Sequence, residues 1–452
     1  MESVIRIGLA LALVAIHAPF ALAFFRRARK RQTPEILQFA VLGVVLYYDS
    51  GFVLQTFGWS YYSPFFPSLE SLTLEQFAVV GILLMVVPYV LAVGYRATAG
   101  DFAPIPHSPT VSLFPKLRPI FFLLFAPLCA AFALVGFSVI YGVSSVVDVK
   151  LFWMSVLGSG YIAFLLPMFV LAFFLRTKES RTPWGWAFIA FLLAANVAAT
   201  LFLGQRTMTL LPFLMVVIFR WRVSAVRLAL SAVALFAFAS AALWFYKGFA
   251  VDPNEDFVAR VQKVVNNDIV RSTVLARAIE ESDPIGTRVL PTPGQGYLYT
   301  LLLYVPRSVL PQKGYSTAAY FTAFANGEDT EFLAWGLGLG FLEEISLNFG
   351  YVALLPGILL YGAFLGLMQR VSQAFPSCVV GTHLAAVWMS GYGSPSVFLY
   401  FGSMTLFAIV LEGCFAGSAG SSESSVRSDA DKLDLLDKAP STEMPVLSPN
   451  WR

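Results

Sequence analysis

The sequence predicts an all-α, polytopic integral membrane protein with about eleven transmembrane helices and one large external loop carrying short interfacial helices. Three observations carry that prediction. Of 452 residues, 58% are apolar and only 13% are charged, and the mean hydropathy of +0.72 lies far above the soluble range. Apolar blocks of about 20 residues, the length a helix needs to cross a bilayer, recur along the chain. Basic residues gather in every second connection between those blocks, as they do where loops alternate between the two sides of a membrane.

The first block, Ile5 to Phe25, lacks a basic leader and a small-residue cleavage site, so it reads as a retained span. The predicted spans are 4–24, 36–57, 74–95, 119–142, 151–175, 184–203, 207–220, 226–246, 350–368, 377–393 and 396–416. Arg26, Arg27, Arg29, Lys30 and Arg31 follow the first span. Arg96, Lys116 and Arg118, then Arg176, Lys178 and Arg181, then Arg220, Arg222 and Arg227, and finally Arg370 occupy the later connections on the same side. The alternate short connections hold only Lys150 and Arg206. The positive-inside rule therefore places the N-terminus outside and the C-terminus in the cytoplasm.

Four regions result: an N-terminal transmembrane bundle of about eight spans (1–246), a large external loop (247–349), C-terminal transmembrane helices (350–416) and a Ser-, Asp- and Lys-rich cytoplasmic tail (417–452) that is expected to be disordered. In a bacterial host the loop is periplasmic and the membrane is the inner one.

A formal charge of +3 is too small to imply nucleic acid or a strongly anionic partner, and no nucleic-acid partner is expected. Cys129, Cys378 and Cys414 all fall in apolar spans without paired spacing, so no disulfide framework is expected. His17, His107 and His383 are scattered, and no metal or other cofactor is expected.

Polar residues at the external side are the candidates for chemistry. Arg206, in FLGQRTM, opens an apolar run, Thr207 to Phe219, that reaches only about 20 Å. A guanidinium there either snorkels to the surface or sits in a wet cavity, where its planar donors suit a phosphate. In YVPRSVLPQK, Arg307 and Lys313 follow a short apolar stretch ended by Pro306, which reads as an interfacial or re-entrant helix. They either meet a lipid head group or simply anchor the surface.

The third candidate is FLEEISLNFG. If it is helical, Glu344 and Asn348 share a face at i and i+4, with Glu343 about 100° away. Gly350 either ends that helix or permits close packing. A carboxylate at the mouth of a span is expensive unless it acts as a base, binds hydroxyls or pairs with an Arg. Among the loop's other basic residues, interleaved with acids, Arg271 and Arg288 have the fewest acidic neighbours.

The order of these motifs resembles the oligosaccharide repeat unit polymerase family, the Wzy-type O-antigen polymerases. It runs from GQR (Gly204 to Arg206), through PRxxxPxK (Pro306 to Lys313) on a large external loop, to ExxxNFG (Glu344 to Gly350) leading into a Gly-rich span. The resemblance covers about Gly204 to Gly366. It implies an integral-membrane glycosyltransferase that joins polyprenyl-diphosphate-linked repeat units into a surface polysaccharide at the outer face of the inner membrane. The implied partners are that lipid-linked oligosaccharide, membrane lipid, a chain-length regulator and a flippase. By position, Arg206 and Arg307 would bind the donor diphosphate with help from Lys313, and Glu344 would be the base for the acceptor hydroxyl or a sugar-binding carboxylate. Asn348, Arg271 and Arg288 complete the expected substrate-binding set. The reading from another class is a transporter or flippase for a lipid-linked or anionic substrate, with Arg206 as its binding charge. A non-catalytic partner in an envelope complex is the third.

Overall fold

The structure is a computed structural model that describes residues 1–30, 34–59, 69–100, 182–203, 271–302, 312–327, 338–375 and 379–391, together with a few isolated positions; for 194–203 it describes the backbone alone. The expected spans 119–142, 151–175, 207–220, 226–246 and 396–416, the tail, Arg206 and Arg307 lie outside the described residues.

All regular elements among the described residues are helical. They are α1 (Glu2–Arg29), α2 (Ile36–Val44), a π-helical turn (Val45–Asp49), α3 (Ser50–Thr56), α4 (Leu74–Ala99), α5 (Pro183–Leu203), α6 (Ser272–Glu280), α7 (Gln295–Leu301), α8 (Thr317–Asn326), α9 (Phe341–Phe349), α10 (Leu354–Ala374) and α11 (Val379–Gly391). Four segments are long and apolar enough to cross a membrane: Glu2–Arg27, Ile36–Thr56, Leu74–Ala99 and Tyr351–Ala374. The protein is thus an all-α membrane protein. These four coincide with the expected spans 4–24, 36–57, 74–95 and 350–368, while α5 and α11 fall on 184–203 and 377–393.

Local signals explain where these helices begin and end. Thr73 caps α4 by accepting from the Gln76 N–H at 3.2 Å, while the Gln76 side chain accepts from the Thr73 N–H at 3.0 Å. At the far end the chain leaves α4 through Gly100, whose φ of 69° suits glycine. The second span is continuous through its π turn, where one extra residue per turn re-aims Tyr48 and Asp49 inward.

Contacts along the helices fix their directions. Arg6, near the start of α1, donates to the carbonyls of Leu69 (2.8 Å) and Leu72 (2.6 Å) just before α4, so α1 and α4 run in parallel. α10 is parallel to α4 as well. A Cβ on Gly362 would lie 2.3 Å from Leu91 O, and one on Gly366 would lie 2.1 Å from Thr98 Oγ1, so the two backbones touch through a GxxxG seam. Thr98 Oγ1 reinforces the seam by donating to Ala363 O at 2.6 Å. The second span and α11 run the other way: the His383 ring bonds Pro34 O at 2.9 Å, and Gly391 packs on the Tyr47 ring. Arg26, Arg27, Arg96 and Arg370 consequently share one end of the bundle.

The described residues between 271 and 349 form short helices, several of which pack along the long apolar helices. Alongside the start of α10, α9 runs antiparallel to it: Ile345 packs on Gly357, and the Phe341 and Tyr361 ring centroids are 5.1 Å apart. Tyr361 is roughly 15 Å along the span that opens at Tyr351. Phe341 is thus drawn well below the end of the bundle. α6 lies beside α9 in the same direction, with Ser282 Oγ 2.7 Å from Ser346 Oγ, and the Arg271 N–H at its deep end donates to Tyr47 O at 2.7 Å. A small core of Val274, Ala278, Val289, Phe321, Leu339 and Leu347 ties α6, α8 and α9 together. Packing of α9 against α10 lets so short a helix lie beside a long one, because each helix satisfies its own backbone.

Candidate functional site

The site forms where α9 meets α7, α8, α6 and the π turn of the second span. Eight of the nine residues of α9 are buried, including Glu343, Glu344 and Asn348. Gly340 precedes the helix, and Gly350 ends it with φ of 88°. A Cβ on Gly350 would lie 2.5 Å from the carbonyl oxygens of both Asp283 and Pro284. The two roles expected of Gly350, a helix stop and a close approach, are therefore both realised.

The expected i, i+4 pair is present. Asn348 Nδ2 donates to Glu344 Oε2 at 3.1 Å and to Thr317 Oγ1 at 3.1 Å, and it also reaches Glu344 O at 2.8 Å. Asn348 Oδ1 accepts the Gly296 N–H at 2.9 Å, and Asn348 O accepts from Gly294 N at 2.9 Å. Asn348 therefore links α7, α8 and Glu344. Gly296 is glycine because a Cβ there would collide with Thr317 Oγ1 at 1.8 Å.

Glu343 points to a different set of partners. The Tyr48 hydroxyl donates to Glu343 Oε2 at 2.5 Å, and the Arg271 charge stands near both groups. Arg271 itself is buried at the start of α6.

Burial pushes both carboxyls up, each to about 7. For Glu343 the Tyr48 hydrogen bond and the Arg271 charge pull the other way. For Glu344 the Thr317 and Asn348 hydrogen bonds favour the charged form, while the neighbouring Glu343 charge opposes it. Adjacent carboxyls with such different surroundings can hold and release a proton near neutrality.

The other expected site residues sit apart from this pair or elsewhere on the surface. Lys313 is buried, donates to Val305 O at 3.0 Å and lies 5.0 Å from the Tyr299 ring centroid. Arg288 has a side chain that is 70% exposed and stands 3.9 Å from Asp283 Oδ1, so it does not join Glu344. Sequence reasoning singled out Glu344, Asn348 and Arg271 but missed Tyr48, Thr317 and the role of Glu343. The acid beside Tyr48, Asp49, was a usable signal, since an ionisable residue inside a span marks function by default. In the structure it pairs with His17, which also bonds Leu84 O. Among the described residues no group of His, Cys, Asp and Glu is placed to hold a metal ion.

No family model, curated protein or solved structure matches the chain.

Proposed function

We propose that this protein is an oligosaccharide repeat unit polymerase of the Wzy type, transferring a glycan chain from a polyprenyl-diphosphate donor to a lipid-linked acceptor at the outer face of the inner membrane. The observation that carries the reading is Glu344: a buried carboxyl, held by Asn348 and Thr317, whose pKa near 7 suits a general base. In that role Glu344 takes the proton of the acceptor hydroxyl as it attacks the anomeric carbon of the donor. The bond to the diphosphate breaks, and the diphosphate leaves with the electron pair. Arg206 and Arg307 supply positive charge to the leaving group, with Lys313 and Arg271 adding to the local field. Arg288, turned to the surface, is assigned to guiding the anionic substrate inward. The motif order described above supports the same reading, as does the common placement of Arg26, Arg27, Arg96 and Arg370 at the end of the bundle away from Tyr351. A chain-length regulator and a flippase remain the expected partners.

The depth of α9 favours a second reading, a transporter or flippase for a lipid-linked substrate, because short helices ending inside a bundle build transport sites too. One experiment separates the two. In cells carrying Arg206→Ala, polymerase action predicts loss of long glycan chains while single repeat units still reach the outer leaflet on lipid. Units trapped on the inner leaflet would instead indicate transport, and chains of normal length from a well-inserted variant would refute both assignments of Arg206.

A further inference from the structure

Tyr48 belongs to the second span, and 295 residues separate it from Glu343, yet its hydroxyl is 2.5 Å from the Glu343 carboxylate. Both residues are fully buried. The contact is built from three sides: the π turn aims Tyr48 inward, the Arg271 N–H bonds the adjacent Tyr47 O at 2.7 Å, and the Arg271 charge lies near both Tyr48 and Glu343. A hydroxyl donor and a guanidinium favour an ionised carboxylate. Among the described residues, the partners of Glu344 are an amide and a hydroxyl, Asn348 and Thr317, neither of which carries a charge.

We propose that Tyr48 is a positioning residue that, with Arg271, makes Glu343 the first of the two carboxyls to ionise, so that the Glu343 charge beside Glu344 sets the pH at which Glu344 releases its proton. The proposal rests on Glu344 as the base of the reaction proposed above. Its physical content is that like charges on neighbouring groups cannot form at equal cost, so the carboxyl with the better counter-charges ionises first. Glu344 then carries the proton that is exchanged, and Glu343 carries the charge that delays its release.

Among the described residues, other ionisable side chains on the elements around α9 have partners of their own. On α6, Arg277 pairs with Glu280 (2.9 Å) and Glu281 (2.6 Å). The hydroxyls of Tyr297 on α7 and Tyr361 on α10 are 3.2 Å from each other, and the Tyr299 ring faces Lys313. On α8, the Tyr320 hydroxyl accepts from Gln295 Nε2 at 2.9 Å. On α11, the His383 ring is held by Pro34 O and Val379 O. Asp49, next to Tyr48 in the chain, is paired with His17. That leaves Tyr48 and Arg271, among the described residues, as the groups that can discriminate between the two carboxyls.

The test is an infrared pH titration of the Glu344 carboxyl in full-length protein in lipid nanodiscs, with Glu344→Gln identifying its band. Tyr48→Phe removes the donor and leaves Glu343 neutral. Glu343→Gln removes the charge directly. Both are expected to move the Glu344 midpoint down by about one pH unit, giving roughly tenfold more ionised Glu344 at acidic pH. If Tyr48→Phe inserts poorly, Glu343→Gln carries the same prediction. An unchanged or raised Glu344 midpoint in Glu343→Gln overturns the proposal, and so does a Tyr48→Phe variant that folds and titrates as wild type. Because the titration needs no turnover, it can succeed where the polymerase reading fails; that failure shows separately, as absence of polymer with wild-type protein and a lipid-linked repeat unit. With an active protein, the acid limb of kcat should follow the infrared midpoint.

Discussion

Asn348 sits one helical turn beyond Glu344 and hydrogen-bonds its carboxylate at 3.1 Å while accepting the Gly296 N–H at 2.9 Å. One amide therefore holds the candidate base and fastens the helix that carries it to α7. The arrangement orients Glu344 without neutralising it, since an amide donor offers a hydrogen bond and no charge.

Asn348→Ala should affect stability and chemistry together. It leaves the Gly296 N–H without its acceptor, and it strips a donor from Glu344 and from Thr317 Oγ1. Buried groups left without partners cost about 1–3 kcal/mol each, so thermal unfolding in detergent should show a loss of roughly 2–3 kcal/mol. Removing a donor that favours the charged form should also move the acid limb of activity to higher pH, opposite to the shift expected for Tyr48→Phe.

Under the polymerase proposal, Glu344→Gln should reduce the rate of chain growth by about 100-fold or more, the scale of a lost general base. In the wild type, activity should rise with pH through a midpoint near 7, and the variant should lose that limb. Stability runs the other way. Burial raises the folded-state pKa of Glu344 from 4.5 to about 7, so the folded protein binds this proton more tightly than the unfolded chain. Its contribution to stability is full below pH about 4.5 and is lost as pH rises through about 7, a change of about 3 kcal/mol. Chemical denaturation at pH 5 and pH 8 measures this difference, and Glu344→Gln should shrink it.

Gly362→Leu should separate α4 from α10. Even a single Cβ at Gly362 would lie 2.3 Å from Leu91 O, a backbone atom that cannot step aside. Overpacking of this kind costs about 1–3 kcal/mol or more, and a Leu asks for several atoms beyond the Cβ. The expected outcome is a large fall in the yield of monodisperse protein after detergent extraction. Leu360→Ala, at an exposed position of the same helix, should extract normally.

Much of the site was legible locally. The i, i+4 spacing of Glu344 and Asn348, and the Gly350 stop, are short-range properties that a helical period predicts. The depth of α9 was not legible. A nine-residue helix is too short to cross a bilayer, and its sequence says nothing about the glycine at position 357 that lets Ile345 settle against α10. Tyr48 was hidden for a related reason: its partner lies 295 residues away, and a tyrosine in an apolar span ordinarily reads as packing. Arg271 stood out only as a base with few acidic neighbours, and its role depends on where the chain folds back.

The glycine seam between α4 and α10 also bears on biogenesis. Thr98 and its acceptor Ala363 are 265 residues apart, an interval that takes roughly 13–50 s to synthesise at about 5–20 residues per second. For that period α4 exists without α10, its partner across the glycine seam. A ribosome that stalls before α10 leaves Gly94 and Thr98 without their seam partners, a difference from the finished chain on which membrane quality control can act.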